Sequence, residues 1–263
     1  MHSRESPLGL KSRHPQRSPF LVPVDSANES FQIDEIRQII EGDLLPNLVV
    51  RSIHPHDPVV VNRHPSPWTV LGCGNYAAVF AHPDHPNHVV KVYAPGRPGL
   101  QEEREVYRRI GVHQAYSVCH HASDAYLVLN RLEGVTLYDC LRHGIRIPPQ
   151  VIKDVDEAIK YAIGRGLHGH DLHGRNILMH QGRGFIVDIS DFLNPQPCRA
   201  WVDIRKAYYR LYLPFISPLN LRIPGWMLSV IRKCYRIYAK SGLFARGKTT
   251  AATNSLGCSG ITS

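Results

Sequence analysis

The sequence has no run of about 18 apolar residues free of charge or proline, so an orthodox transmembrane helix is not expected. It has no CxxC pair, and its six cysteines (73, 119, 140, 198, 234 and 258) lie far apart. They read as reduced thiols of a cytosolic protein, which argues against a disulfide framework. The 16 histidines, several in His-Pro pairs, fall in no zinc-type spacing and read as scattered loop residues. Glycine and proline, 20 of each, follow no strict period, which excludes a collagen-like chain, and no internal repeat is present. What is present is a chain of 263 residues, 43% hydrophobic and 20% charged. That composition buries a core, excludes a wholly disordered chain and fits one large domain or two small ones.

Charge is unevenly placed. From Arg199 onward eleven Lys and Arg stand against one acid, Asp203, a net of +10, while residues 1–198 come to −1. Such a quarter suits an anionic membrane surface, nucleic acid or an acidic partner, and it is also what a solvated helix face looks like.

Residues 1–30 are rich in Ser, Arg, Pro and His and lack the apolar core of a signal peptide; they read as a flexible tail. Apolar residues at 31, 33, 36, 39 and 40 predict a short amphipathic helix, and 31–65 as a whole reads as a helix and lobe extension. Strand-like runs follow at 68–72, 77–81, 88–93 and 125–130, with a helix over 100–110 among them. After residue 135 the pattern turns helical: one helix opens at Pro148-Pro149 and stops at Gly164 and Gly166, and others cover 201–213 and 226–239. A short strand is expected at 185–187, and a disordered tail over 242–263.

The chemistry-bearing segments come in order. LGCGNYAAVF (71–80) places Gly72 and Gly74 in a tight turn between strands, where backbone N–H groups can approach an anion, with Cys73 at its tip and Ala77 where a third glycine would stand. HVVKVY (88–93) puts Lys91 on a strand, its ammonium a candidate for holding phosphates. In LQEEREVYRRI (100–110), Glu103, Tyr107 and Ile110 share one helix face. A carboxylate there needs a cation, and Lys91 is the natural partner; Glu105 is the alternative. HGHDLHGRNIL (168–178) sets Asn176 five residues after Asp171, and GFIVDIS places Asp188 directly after a strand. One Asp to take a hydroxyl proton, with an Asn and a second Asp to hold Mg²⁺, is what phosphoryl transfer requires.

On these residues the sequence resembles the protein kinase-like superfamily over residues 66 to about 212. The resemblance implies a two-lobed α+β fold, with a small antiparallel-sheet N-lobe (66–129) and a reduced helical C-lobe (130–241). Gly72 and Gly74 would form the glycine-rich loop, Lys91 the lysine on the α- and β-phosphates, and Glu103 its helix partner. Leu129 stands at the gatekeeper position, and Asn130 to Leu132 at the hinge that receives adenine. Leu71, Val79, Val89 and Leu178 match the apolar walls of the adenine pocket. Asp171 would be the catalytic aspartate, Asn176 and Asp188 the magnesium ligands, and Asp203 the buried helix aspartate that props the catalytic loop.

The departures carry information. The position before Asp171 holds His170 where the family has Arg, so the resemblance implies activity that is not switched by activation-loop phosphorylation. Asp188-Ile189-Ser190 keeps the metal aspartate and loses the glycine, and His173 stands where a lysine is usual. The Asp-Leu-His form is similar to atypical kinases and small-molecule phosphotransferases. With 14 residues between Asp188 and Asp203, most of the peptide-docking segment is missing.

The expected function is an ATP- and Mg²⁺-dependent phosphotransferase, first of all an atypical serine/threonine protein kinase. A small-molecule or lipid-sugar kinase near a membrane and a nucleotide-binding pseudokinase are the alternatives. A cytoplasmic location is expected, with peripheral contact to an anionic membrane through the basic C-terminal quarter left open. Segment 225–240 fits either a core-packed helix or one lying on such a surface. No RNA- or DNA-binding motif supports a nucleic-acid partner.

Overall fold

The computed structural model describes residues 26–54, 57–196 and 199–240, with side chains of 26–29 and 236–240 set aside. Residues 1–25 and 241–263, which hold nearly all of the two expected tails, lie outside the described residues, as do Cys198 and Cys258.

Two lobes are built around two sheets. The N-lobe sheet has five antiparallel strands in the order β3-β4-β5-β7-β6: β3 (Thr69–Cys73), β4 (Ala77–Ala81), β5 (His88–Tyr93), β6 (Cys119–Ala122) and β7 (Tyr126–Asn130). Alternation along each strand sorts the side chains between its two faces. Ala77, Val89, Tyr93, Leu127 and Leu129 join Val106, Tyr107 and Ile110 of helix α3 (Leu100–Ile110) in one core. Ala78, Phe80, Val90, Val92, Tyr126 and Val128 join a second core. Both faces are buried, so β4 and β5 read as near-continuous apolar runs.

The second core is closed by the N-terminal segment. Helix α1 (Ser26–Ile39) passes through a π-helical stretch, Ile40–Leu44, into the single turn α2 (Leu45–Asn47), then into a hairpin of β1 (Val49–Arg51) and β2 (Val60–Arg63). Ile33, Ile36, Ile40 and Leu44 meet the sheet, and Trp68, 2% exposed, sits among them. Two polar ties fix the angle: Trp68 Nε1 donates to Asp43 Oδ2 (3.2 Å), and Tyr126 Oη donates to Glu41 Oε1 (2.8 Å). Trp68→Ala should cost about 3–5 kcal/mol of stability, through lost transfer energy and a cavity beneath α1. A urea midpoint equal to wild type would contradict that placement.

At one end of this sheet the turn between β4 and β5 carries His82 and His85, beside His88 of β5, all three buried. The rings of His88 and His120 meet edge-on at 5.3 Å. Burial, reinforced by His120 and His85, pushes His88 down to about 4 from its ordinary 6.5. The unfolded chain therefore binds this proton first. The group's contribution to stability is complete above pH 6.5 and is lost as pH falls toward 4, at up to about 1.4 kcal/mol per pH unit. A His88→Asn variant should show a flatter acid limb of stability against pH, measured by denaturant titration; an unchanged limb would remove His88 as its source.

The C-lobe holds a small sheet in the order β10-β9-β8, built from β8 (Val135–Thr136), β9 (Ile177–His180) and β10 (Arg183–Ile186). Around it lie α4 (Leu137–His143), α5 (Pro149–Gly164), α6 (Ala200–Ala207) and α7 (Gly225–Lys240). Strand β10 lies against α5 because residue 184 is glycine: a Cβ there would stand 2.5 Å from the Val151 carbonyl oxygen. Asp154 of α5 clamps the same strand, accepting from the Gly184 N–H at 2.9 Å and from Arg183 at 2.8 and 3.0 Å.

The helix expected over 201–213 is α-helical only to Ala207. Pro214 has no N–H to give to the carbonyl four residues back, and the chain widens to a π-helix over Tyr208–Ile216. Strand β6 was absent from the sequence expectation, because Cys-His-His-Ala carries no strand-like pattern and pairs only as an edge beside β7. Among the described residues, no helix is long and apolar enough to cross a membrane.

Candidate active site

The site begins with Lys91. On β5 it lies between Val89 and Tyr93, and strand alternation turns its side chain to the face that α3 covers. The ammonium contacts Glu103 Oε1 at 2.8 Å and Oε2 at 2.7 Å, and Asp188 Oδ1 at 3.4 Å. Glu103 is fully buried on α3, in the stripe Leu100, Glu103, Val106, Tyr107 and Ile110. Glu105 points elsewhere, paired with Arg108 at 2.6 Å and Arg109 at 2.7 Å, so the alternative helix partner falls away.

A buried carboxylate needs more than one donor to stay charged. Burial pushes the Glu103 carboxyl up, against the pull of Lys91. The second donor is Tyr93, whose Oη donates to Glu103 Oε2. Tyr93 escaped the sequence reading. The signal was its place two residues after Lys91, hence on the same face of the strand. Burial opposes the ammonium of Lys91, but Asp188 and Glu103 outweigh it and hold Lys91 well above its ordinary value.

Asp188 follows β10 by two residues. Its Oδ1 accepts from Lys91 and from the Ser190 N–H at 3.2 Å. Burial alone would raise this carboxyl; Lys91 and Ser190 reverse the sign and hold it below the usual carboxylate value.

Asp171 lies in the loop between α5 and β9 with φ of +50°, a left-handed conformation unusual for a residue other than glycine and asparagine. Two bonds of Asn176 define that loop: its Nδ2 donates to the Asp171 carbonyl at 3.1 Å, and its carbonyl accepts the Val187 N–H at 3.0 Å. The second bond ties the loop to the residue before Asp188. His168 N–H donates to the Phe192 carbonyl at 2.8 Å, a further tie to the chain after Asp188. Burial raises the Asp171 carboxyl, and repulsion from Asp191 and Asp188 adds to this against His173, whose Nε2 stands 3.9 Å from Asp171 Oδ2. The carboxylates at 171, 188 and 191 thus share one electrostatic neighbourhood.

The oxygens suit a hard divalent cation. With Nδ2 of Asn176 committed to Asp171, its Oδ1 has no donor within the described residues, and Asp188 spends Oδ1 on Lys91 and Ser190. Two such ligands, completed by phosphate oxygens and water, are the usual protein share of a Mg²⁺ site. Among the described residues no cluster of three or more His, Cys, Asp or Glu forms an all-protein cage.

The residues that the resemblance assigns to the nucleotide are distributed as follows. Val89 and Leu129 are buried in the first core, Val79 packs against it, Leu178 is 9% exposed on β9, and Leu71 stands 48% exposed on β3. Gly72 pairs with Val79 across a bulge, and a Cβ on it would meet nothing within 4 Å.

Three of the residues named from sequence have polar groups engaged within the chain. The Gly74 N–H donates to the Ala77 carbonyl at 2.8 Å, closing the turn; the turn amides without a hydrogen bond among the described residues are those of Asn75 and Tyr76. Asn130 is spent on the 117–118 segment: its N–H donates to the Val118 carbonyl (3.0 Å), its carbonyl accepts Ser117 Oγ (2.6 Å), and its Oδ1 accepts the Val118 N–H. Within 130–132, the backbone groups without a hydrogen bond among the described residues are the Arg131 carbonyl and both groups of Leu132. Asp203 is only half-buried and accepts from Tyr235 Oη at 3.0 Å; no hydrogen bond joins it to the 168–176 loop. Helix α6 is anchored to α5 through Asp156, which accepts from Trp201 Nε1 at 2.7 Å and Arg205 at 3.2 Å.

No family model matches the sequence. It is 30% identical over 171 residues to the candidate serine/threonine-protein kinase YrzF of Bacillus subtilis (strain 168), an alignment spanning 64% of this chain and 79% of that protein. Among solved structures, a double-mutant form of the Mycobacterium tuberculosis PknI kinase domain matches at 19% identity and a TM-score of 0.37, covering 50% of this chain and 63% of that one. A single-mutant form matches at 18% identity and a TM-score of 0.36, covering 52% and 66%. The chain thus spans a little under two thirds of those kinase domains.

Proposed function

The chain belongs to the protein kinase-like superfamily, and on that premise we propose that it transfers the γ-phosphate of Mg-ATP to a hydroxyl group, first of all on a serine or threonine of a protein. The observation that carries this reading is the meeting of Lys91 with Glu103 at 2.7 Å and Asp188 at 3.4 Å, across 97 positions of sequence. Lys91, held by Glu103 and Tyr93, would align the α- and β-phosphates. Asn176 and Asp188 would hold Mg²⁺, which when bound neutralises phosphate charge. Asp171 would orient the acceptor hydroxyl and take its proton. Leu132 would meet the adenine edge. Catalysis of this kind is positioning and charge neutralisation.

A small-molecule acceptor is the second reading. It is favoured by the short path from Asp188 to the start of α6 at Ala200, which leaves little chain to dock a peptide. Unpaired thiols at Cys73, Cys119, Cys140 and Cys234 agree with a cytoplasmic location.

The test is γ-labelled ATP supplied to the protein alone, with protein substrates and with a metabolite extract. Label on serine or threonine of protein supports the first reading. Label only on small molecules replaces it with the second. Mg-ATP binding without transfer to any acceptor would overturn both in favour of a nucleotide-binding pseudokinase.

A further inference from the structure

We propose that the outer face of α7 docks this protein on an anionic lipid bilayer. This goes beyond the phosphotransferase reading and does not depend on it. Along α7, Trp226 is 70% exposed, Val230 49% and Ile231 55%. Positions i, i+4 and i+5 lie on one side of a helix. Across the helix from Trp226, Leu228 and Tyr235 are half-buried, and Tyr235 Oη donates to Asp203 of α6 at 3.0 Å. The helix is therefore fixed with an indole and two branched aliphatics facing water. The stretch before it repeats the pattern, with Leu211 57%, Phe215 65% and Leu219 68% exposed.

Charge chooses the occupant. Lys233 is exposed at the edge of the apolar stripe beside Trp226, and Arg232 is exposed further round the helix. After Asp203 the sequence contains no acidic residue, against ten Lys and Arg. A second copy of the chain would bring cation against cation. Nucleic acid would satisfy the cations and leave Val230 and Ile231 without an apolar medium. A bilayer carrying anionic headgroups satisfies both, with aliphatics below the headgroups, the indole at their level and the basic groups on phosphate or carboxylate. At 16 residues α7 lies in the plane of such a surface and is too short to cross it.

The test is sedimentation of the full-length chain with phosphatidylcholine vesicles with and without phosphatidylserine, at low and high salt. Binding should be at least about tenfold tighter with phosphatidylserine and weaken with salt. Trp68 and Trp201 are buried, so the exposed tryptophan is Trp226. Its emission should shift to the blue on adding the anionic vesicles. Paired Arg232→Glu and Lys233→Glu, and separately Trp226→Ser with Val230→Ser, should each lower vesicle affinity at least about tenfold while the thermal midpoint and nucleotide binding hold. Equal affinity for neutral and anionic vesicles, or variants that bind like wild type, would overturn the proposal. So would self-association or RNA binding that shifts Trp226 emission when lipid does not.

Discussion

Lys91→Met is expected to give a folded protein that transfers phosphate about 10²–10³-fold more slowly than wild type, the usual effect of deleting one charged group aimed at a reacting phosphate. Methionine fills much the same volume, so the packing of β5 against α3 is preserved. What disappears is the cation between Glu103, fully buried, and Asp188. Without it burial drives Glu103 toward its neutral form, and Tyr93 then has a carboxylic acid in place of a carboxylate to hold. Asp188 loses the attraction that keeps its carboxyl low. The measurement is turnover with labelled ATP, set beside a circular-dichroism melt. A folded variant with wild-type turnover would remove Lys91 from the mechanism.

Asp171→Asn is the second large effect, and the choice of asparagine matters. Residue 171 has φ of +50°, and asparagine accepts that conformation at less cost than alanine. The variant therefore keeps the loop and the bond from Asn176 Nδ2 to the carbonyl of residue 171, and loses only the capacity to take a proton. Turnover should fall by about 10²–10⁴-fold while ATP affinity stays within about twofold of wild type. A fall in affinity with turnover preserved would reassign Asp171 from the acceptor side of the cleft to the nucleotide side.

Much of this arrangement was legible in sequence, for identifiable reasons. A charged residue inside HVVKVY is conspicuous because every neighbour is apolar, and a strand buried on both faces tolerates Lys91 only if something pairs with it. Glu103 stood out likewise, as a carboxylate in an apolar helical stripe, and the helix bounds 100–110 were reproduced. Local spacing also pointed to Asp171 and Asn176, which share one short loop, and to Asp188, which stands just after an apolar strand.

What was missed depends on contacts between distant segments. The pattern 31–40 predicted an amphipathic helix, but nothing in it said that its apolar face would cover the back of the N-lobe sheet. The clue lay in the other partner: Phe80, Val90 and Val92 alternate with the cleft-side residues and are equally apolar, so a sheet with only one covered face would not fit them. Asn130 was read from position alone, and no local pattern reveals that Ser117 and Val118 consume its polar groups. Asp203 failed for the same reason, its partner being Tyr235, 32 residues away.

The central claim is that residues from both lobes build one magnesium–nucleotide site, and ATP affinity measured calorimetrically with and without Mg²⁺, in wild type and in Asp188→Asn, tests it most directly. Mg²⁺ should tighten ATP binding to wild type at least about tenfold, and the substitution should erase that gain while leaving the melt unchanged. Equal affinity with and without Mg²⁺ in wild type, or an undiminished gain in Asp188→Asn, would contradict it.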